Sequence, residues 1–348
     1  MLRVRAFLGL LFISLALTLL TAPQLAAAQA KAPHLALYSI DVEGGQSTLL
    51  VAPSGKTLLI DTGWAGNNGR DIDRIVTAMH EAEVTRIDYL LITHYHIDHI
   101  GGVAGLLKRV PVGEFIDHGP NRETTYTVPQ DYADYLNAIA GHRRRSVRPG
   151  DTIPIPGLSV VVIAADGEHI SAVPAIRPVP NPYCEAERAW PDDPTEDARS
   201  AGILVTYGKF KFLDLGDLTG AKEVALACPR NPIGTVDLYM ADHHGNDIAN
   251  SRALVDAIHP RVAIFNNGPH KGASPGAWQI VHDSPGLEGL WQLHTAEDSD
   301  TAHNSPDALI ANPSGDGEGN YLKVVAMPSG SFSMTNARTG QTKEYPRK

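Results

Sequence analysis

Within six positions the chain offers four side chains that can hold a divalent cation: His94, His96, Asp98 and His99. Imidazole and carboxylate at this density suit zinc or iron, and core packing gives no reason for them. On an extended or looping backbone alternate residues point the same way. His94 and His96 can therefore share one cation while Asp98 and His99 turn to a second. A cation so held lowers the pKa of water to about 7 and makes it a nucleophile near neutral pH. Asp98 is then placed to orient that water or accept its proton. Gly101 and Gly102 follow directly and let the backbone bend closely around such a site.

Several elements must position these residues. Ile87 to Ile92 is a continuous apolar run of strand length that ends where the histidines begin. Before it come strand-like runs at Leu35 to Val42, Ser47 to Val51 and Lys56 to Ile60, a meander ending in Asp61-Thr62-Gly63. Ile72, Ile75, Val76 and Met79 are spaced for a helix over Arg70 to Ala82. After the cluster we expect a helix near Gly102 to Arg109, a strand at Phe115-Ile116, a helix over Asp131 to Ala140 and a strand pair within Asp151 to Ala165, turned at Pro156-Gly157. From Gly202 a hairpin leads to Asp214-Leu215-Gly216-Asp217. Strand-like runs at Asp237 to Met240, Val262 to Phe265 and Leu290 to Leu293 then alternate with helical ones. Two successive halves of this kind predict an α/β fold with αββα layering, two mixed sheets flanked by helices. Residues 168–199 are rich in Pro, Asp and Glu without periodicity and are expected to form a long loop or lid. Residues 311–348 are expected to be a C-terminal extension of one domain spanning 31–348.

Arg3 and Arg5, an apolar stretch from Ala6 to Leu20 and small residues up to Ala30 have the layout of a secretory signal peptide over residues 1–30. The protein is therefore expected to be periplasmic or secreted, with no membrane segment after cleavage. The formal charge is −10, and removal of the two arginines brings it near −12. An acidic chain has no long-range attraction to a polyanion, so strong nucleic-acid binding is not expected. Arg143-Arg144-Arg145 with Arg148 is the one dense basic run and reads as a solvated helix end beside acidic neighbours. Cys184 and Cys228 are the only cysteines, and in an oxidising compartment we expect them to bridge, with two separate buried thiols as the alternative.

The His94 to His99 run resembles the HxHxDH signature of the metallo-β-lactamase superfamily. Further likenesses follow in the family's order: Asp61-Thr62-Gly63, Leu215-Gly216-Asp217 and Asp242-His243-His244-Gly245. Within the superfamily, Asp41-Val42-Glu43-Gly44-Gly45-Gln46-Ser47 and His243-His244-Gly245 most resemble the hydrolase domain of ComEC-type competence proteins. The resemblance implies two cation sites, with zinc expected and manganese or iron as alternatives. His94 and His96 would hold the first cation, Asp98 and His99 the second, Asp217 would bridge, and His243 or His244 would complete the second. Asp61 would fix a ligand imidazole from behind. The family's third histidine for the first cation is absent from Thr195 to Ser200, so Asp197, His118 or His169 would take its place, or the site would be weak. His270, Lys271 and His294 follow late strands, where this fold gathers substrate contacts. The function this implies is an exported metal-dependent hydrolase that uses a metal-activated water on a phosphodiester, a nucleotide or nucleic acid-like substrate, or on another small molecule. Ring hydrolysis of β-lactamase or lactonase type and a non-catalytic metal-binding protein are the alternatives.

Overall fold

In a computed structural model, residues 34–314 and 319–347 are described, and the expected signal peptide lies outside them. The first sheet begins with the antiparallel meander β1 (Leu35–Ser39), β2 (Thr48–Val51) and β3 (Thr57–Ile60). It continues in parallel through β4 (Ile87–Leu91), β5 (Val112–Asp117) and β6 (Arg144–Ser146). The second sheet takes β7 (Ser159–Ala165) and β8 (Glu168–His169). The small β9 (Val179–Pro180) lies apart, and β10 (Gly202–Tyr207) and β11 (Phe210–Asp214) form the expected hairpin. After β12 (Arg230–Asn231), which pairs only with β9, the parallel strands β13 (Leu238–Met240), β14 (Val262–Phe265), β15 (Gly289–His294) and β16 (Ile310–Asn312) complete that sheet.

The chain then returns to the first sheet with β17 (Leu322–Ala326), β18 (Phe332–Asn336) and β19 (Thr342–Tyr345). β17 lies antiparallel to β1, Leu35 facing Ala326. The segment expected to be a C-terminal extension is therefore integral to the domain. Leu322, Val324, Ala326, Phe332 and Met334 alternate with half-buried neighbours, and one apolar face of this kind needs a second sheet to cover it.

The central strands of both sheets are buried on both faces, while β6, β8 and β17 to β19 keep exposed or half-buried residues. Leu35, Leu37, Leu50, Leu58 and Leu91 of the first pack against Val162, Ile203, Val205, Phe212, Met240 and Ile264 of the second, which makes the central core. The outer face of the first sheet is covered by α1 (Arg70–Glu81), α3 (Val103–Leu107) and α4 (Val128–Ala138), with the one-turn α2 (Ile97–Ile100) preceding α3. That of the second is covered by α5 (Gly220–Ala227), α6 (Arg252–Ile258) and α7 (Pro275–His282). The result is the expected αββα layering. Two local expectations fail. Pro154 and Pro156 confine the first half of the 151–165 pair to a single bridge, Thr152 with Val161. The arginine run forms the edge strand β6, not a helix end, with Arg143 and Arg145 at Glu114 and Arg144 on Asp117.

The long loop is fastened along its length. Cys184 and Cys228 form a disulfide that ties it to the end of α5. Asn181 donates to the carbonyls of Ala227 and Ala253, and Glu187 accepts from Ala253 N at the start of α6. Trp190 packs on Gly220, where the indole occupies the space that a Cβ would need. A segment held this way is a strap rather than a swinging lid, and its last residues enter the site. Among the described residues no helix is long and apolar enough to cross a membrane.

Candidate metal centre

The carboxyl ends of β3, β4, β5, β11, β13 and β14 converge, as ligand sites in open α/β sheets do. From β4 the chain passes through Thr93 and His94 to His96, then enters α2, so that Asp98 and His99 stand in its first turn. The stretch is thus not extended or looping throughout, as its sequence suggests, and the one-turn helix is what separates the two pairs. Gly101 and Gly102 follow because the Ala65 amide and the Thr62 carbonyl lie where a Cβ would be.

Three groups of donors result, the third, Asp197, Asp217 and His243, sharing one residue with each of the other two. His94, His96 and Asp197 form the first; Asp98, His99, Asp217 and His244 form the second, with every ligand atom of a group within 4.8 Å of the others. Asp197 Oδ1 lies 3.2 Å from His94 Nε2 and 2.8 Å from His96 Nδ1. Asp217 Oδ2 lies 3.3 Å from His99 Nε2 and 3.1 Å from His244 Nε2. His243 stands between the groups, 3.9 Å from Asp197 and 3.6 Å from Asp217. His243 and His244 thus part company: His244 joins the second group, and His243 joins Asp197 and Asp217 between the other two. Both have positive φ, 51° and 56°, in the turn after β13, where such strain costs of order 1–3 kcal/mol per residue. Gly245 at φ 79° lets the turn close on the Phe265 ring, which a Cβ would meet at 2.9 Å.

The fit of these residues to cations shows in their unpaired atoms. His94 Nε2, His99 Nε2, His244 Nε2, Asp197 Oδ1 and Asp217 Oδ1 are all buried without a hydrogen-bond partner. A buried polar atom left so costs about 1–3 kcal/mol. Five of them pointing inward together are explained by a positive ion held between them. Burial alone would raise the carboxyls of Asp98, Asp197 and Asp217, but the neighbouring histidines, with Lys271 at Asp98, hold all three below their ordinary range. Burial would likewise lower His96 and His99. Asp197 and Glu123 instead raise His96 to about 9, and Asp217, Asp98 and Asp61 hold His99 well above its usual value. His94, fully buried and beside His99, is pushed down by burial and by that neighbour.

Other side chains aim the imidazoles. Asp61 accepts from Thr93 N at 2.8 Å and meets His99 Nδ1 at 2.7 Å, which turns Nε2 inward. Glu123 meets His96 Nε2 at 3.0 Å and so turns Nδ1 toward Asp197. The same Glu123 oxygen accepts from Glu196 N at 2.9 Å. His118 is in none of these groups: its Nε2 lies 2.7 Å from Glu196 Oε2, deep in the protein. His169 sits exposed in the edge strand β8. Neither lies beside His94 and His96, whereas Asp197 does.

The three candidate substrate contacts separate. His294 is buried against Asp41 at 2.7 Å, and Asp41 also holds Arg74 at 3.0 Å, so this imidazole is closed to any substrate. His270 is exposed and turned toward Glu297 and Asp298. Only Lys271 reaches the centre, with its ammonium on Asp98 Oδ2. Glu123 and Glu196 are absent from the residues that sequence reasoning marks. Glu196 adjoins Asp197 and could have been found that way, whereas nothing near Glu123 in sequence distinguishes it. The Asp41 to Ser47 motif serves the framework, because Gln46 donates to Asp214 at 3.0 Å and accepts from Asn266 at 3.1 Å, joining the ends of β11 and β14. Burial pushes the Asp214 carboxyl up to about 6.

Parts of the chain are similar to known proteins. The profile of the Metallo-beta-lactamase superfamily matches residues 41–179. Recombination protein 2 of Haemophilus influenzae is 25% identical over 250 residues, which cover 69% of this chain and 25% of that protein. Ribonuclease Z of Methanopyrus kandleri is 37% identical over 125 residues, 35% of this chain and 39% of the relative. The chain therefore spans well under half the length of either. Among solved structures, the metallo-beta-lactamase fold protein YhfI from Bacillus subtilis is similar, with 11% identity, a TM-score of 0.46, and 74% of this chain and 95% of that one covered. With the HxHxDH run and its later partners in the family's order, the chain is similar to the metallo-β-lactamase superfamily, whose model it matches over residues 41–179.

Proposed function

We propose that this protein is a two-cation hydrolase of small phosphodiesters. The observation that carries the reading is the pair of buried donor groups linked by a third, in which Asp197 of one and Asp217 of the other meet at His243, the layout in which two neighbouring cations serve the two ends of a displaced bond. His94, His96 and Asp197 would hold one cation, Asp98, His99 and His244 the other, with Asp217 between them and His243 on the first cation's side. Bound there, cations supply a nucleophilic water near neutral pH and positive charge for the substrate's oxygens. Asp98 stays ionised, and a carboxyl held so low is a better orienting acceptor than a strong base. Three carboxylates in the ligand set suit manganese or iron alongside zinc, since oxygen donors favour harder ions than an all-imidazole site does.

A phosphodiester is favoured because the mouth carries Lys271 and His243, and because the name of one relative, Ribonuclease Z, refers to cleavage of RNA. The acidic chain argues for a small substrate over a polymer. The Cys184–Cys228 bridge supports work in an oxidising compartment, consistent with export.

Protein loaded with manganese or zinc should hydrolyse bis(p-nitrophenyl) phosphate and lose that activity with a chelator. Nitrocefin and a homoserine lactone, assayed in parallel, should remain intact. Turnover of nitrocefin alone would sink the phosphodiesterase reading, and silence on all three with full cation content would leave a binding protein.

A further inference from the structure

Lys271 sits where a cation ligand and a substrate would meet. Its ammonium pairs with Asp98 Oδ2, the same oxygen that lies 3.3 Å from His99 Nε2 and 3.3 Å from His244 Nε2. A cation taken up by the second group needs that oxygen, so it competes with the ammonium for it and repels it. The stem has little room to leave. Its Cβ is packed on Gly44, where a Cβ would come within 2.9 Å, and its ammonium lies 5.0 Å from the centre of the Trp64 ring. The loop beneath is tied by Gly268 N to the Lys271 carbonyl at 2.8 Å and by Ala273 N to the His244 carbonyl at 2.9 Å. The side chain keeps 32% of its surface exposed, so it lies at the edge of the centre and not sealed within it.

We propose that Lys271 is the substrate anchor of this centre: released from Asp98 when the second cation binds, its ammonium takes a non-bridging oxygen of an anionic phosphoryl substrate. The proposal rests on the two-cation reading above. A compact ammonium suits the exchange of one carboxylate oxygen for a neighbouring phosphoryl oxygen while its stem stays in place. In a chain this acidic, attraction of an anion has to come from a charge at the site itself. His270, one residue earlier, shows the contrast, since it faces Glu297 and Asp298 on the surface.

The test uses the full-length protein loaded with manganese, in wild-type form and as Lys271→Met and Lys271→Arg. Cation content is measured by mass spectrometry, and binding of inorganic phosphate by calorimetry. Lys271→Met is expected to keep its cations, to bind manganese at the second group at least as tightly as wild type, and to bind phosphate about 10- to 100-fold more weakly, the loss expected for one charge-assisted hydrogen bond. Its KM for bis(p-nitrophenyl) phosphate should rise more than its kcat falls. Lys271→Arg, which keeps the charge, should restore most of the phosphate affinity. Unchanged phosphate affinity in Lys271→Met at full cation content would overturn the proposal, as would loss of cations from that variant, which would make the lysine a structural counter-ion. A wild type that takes up no cation would instead refute the two-cation reading itself.

Discussion

Glu123 touches no other donor of the first group, yet it decides which nitrogen His96 offers. With Nε2 engaged at 3.0 Å, only Nδ1 is left to face Asp197. Partners of this kind are worth about 10- to 100-fold in metal affinity. We therefore expect Glu123→Ala to weaken the first cation by that factor while the second stays bound, as titration with manganese in a calorimeter would show. Two equal losses would mean that Glu123 supports the whole loop rather than one imidazole. Protons compete for the same nitrogens. Without cations His96 is raised from 6.5 to about 9, so its protonated form stabilises the folded state fully below pH 6.5 and that contribution fades as pH climbs through about 9. Cation affinity runs the opposite way, because the ligand must be deprotonated. Thermal melts of the cation-free protein should fall between pH 6.5 and 9, while the cation-induced rise in Tm grows over the same interval. A cation-induced shift that is flat with pH would show that His96 does not bind.

At the scale of elements, the strap from 166 to 199 delivers Asp197, and its disulfide spans 44 residues. Closing a loop of that size stabilises by about 2–4 kcal/mol. Reduction should lower the Tm without unfolding the sheets and should loosen the first cation more than the second. A differential scan with and without reductant, paired with cation counts, measures both effects. How much of this was legible in the sequence follows from locality. The strand before His94, the hairpin before Asp217 and the helix at Arg70 carry their own periodicity, and so does the layering they imply. The pairing of Asp197 with His94 and His96 does not, because about 100 residues separate them, and only the family resemblance marks Asp197, together with His118 and His169. His294 misled for a related reason: a histidine ending a late strand looks available until Asp41, at the far end of the chain, proves to be its partner.

For the whole molecule, the central core depends on both ends of the described chain. Leu322, Val324, Phe332, Met334 and Tyr345 are buried in it, and each such side chain contributes roughly 1.5–3 kcal/mol. A chain stopped at residue 318 loses all five and bares the edge of β1, so it should aggregate or fail to melt cooperatively, read by size-exclusion chromatography and circular dichroism. A monomeric, cooperatively folded product would show that β17 to β19 are dispensable.

The pairing of β1 with β17 also sets a clock. Leu35 waits for Ala326, and at about 5–20 residues per second of synthesis that wait lasts roughly 15–60 seconds. Until then the first sheet has an unfinished border and the newborn chain stays open. That delay leaves time for a holding chaperone, or for passage through a translocation channel, before the protein can close.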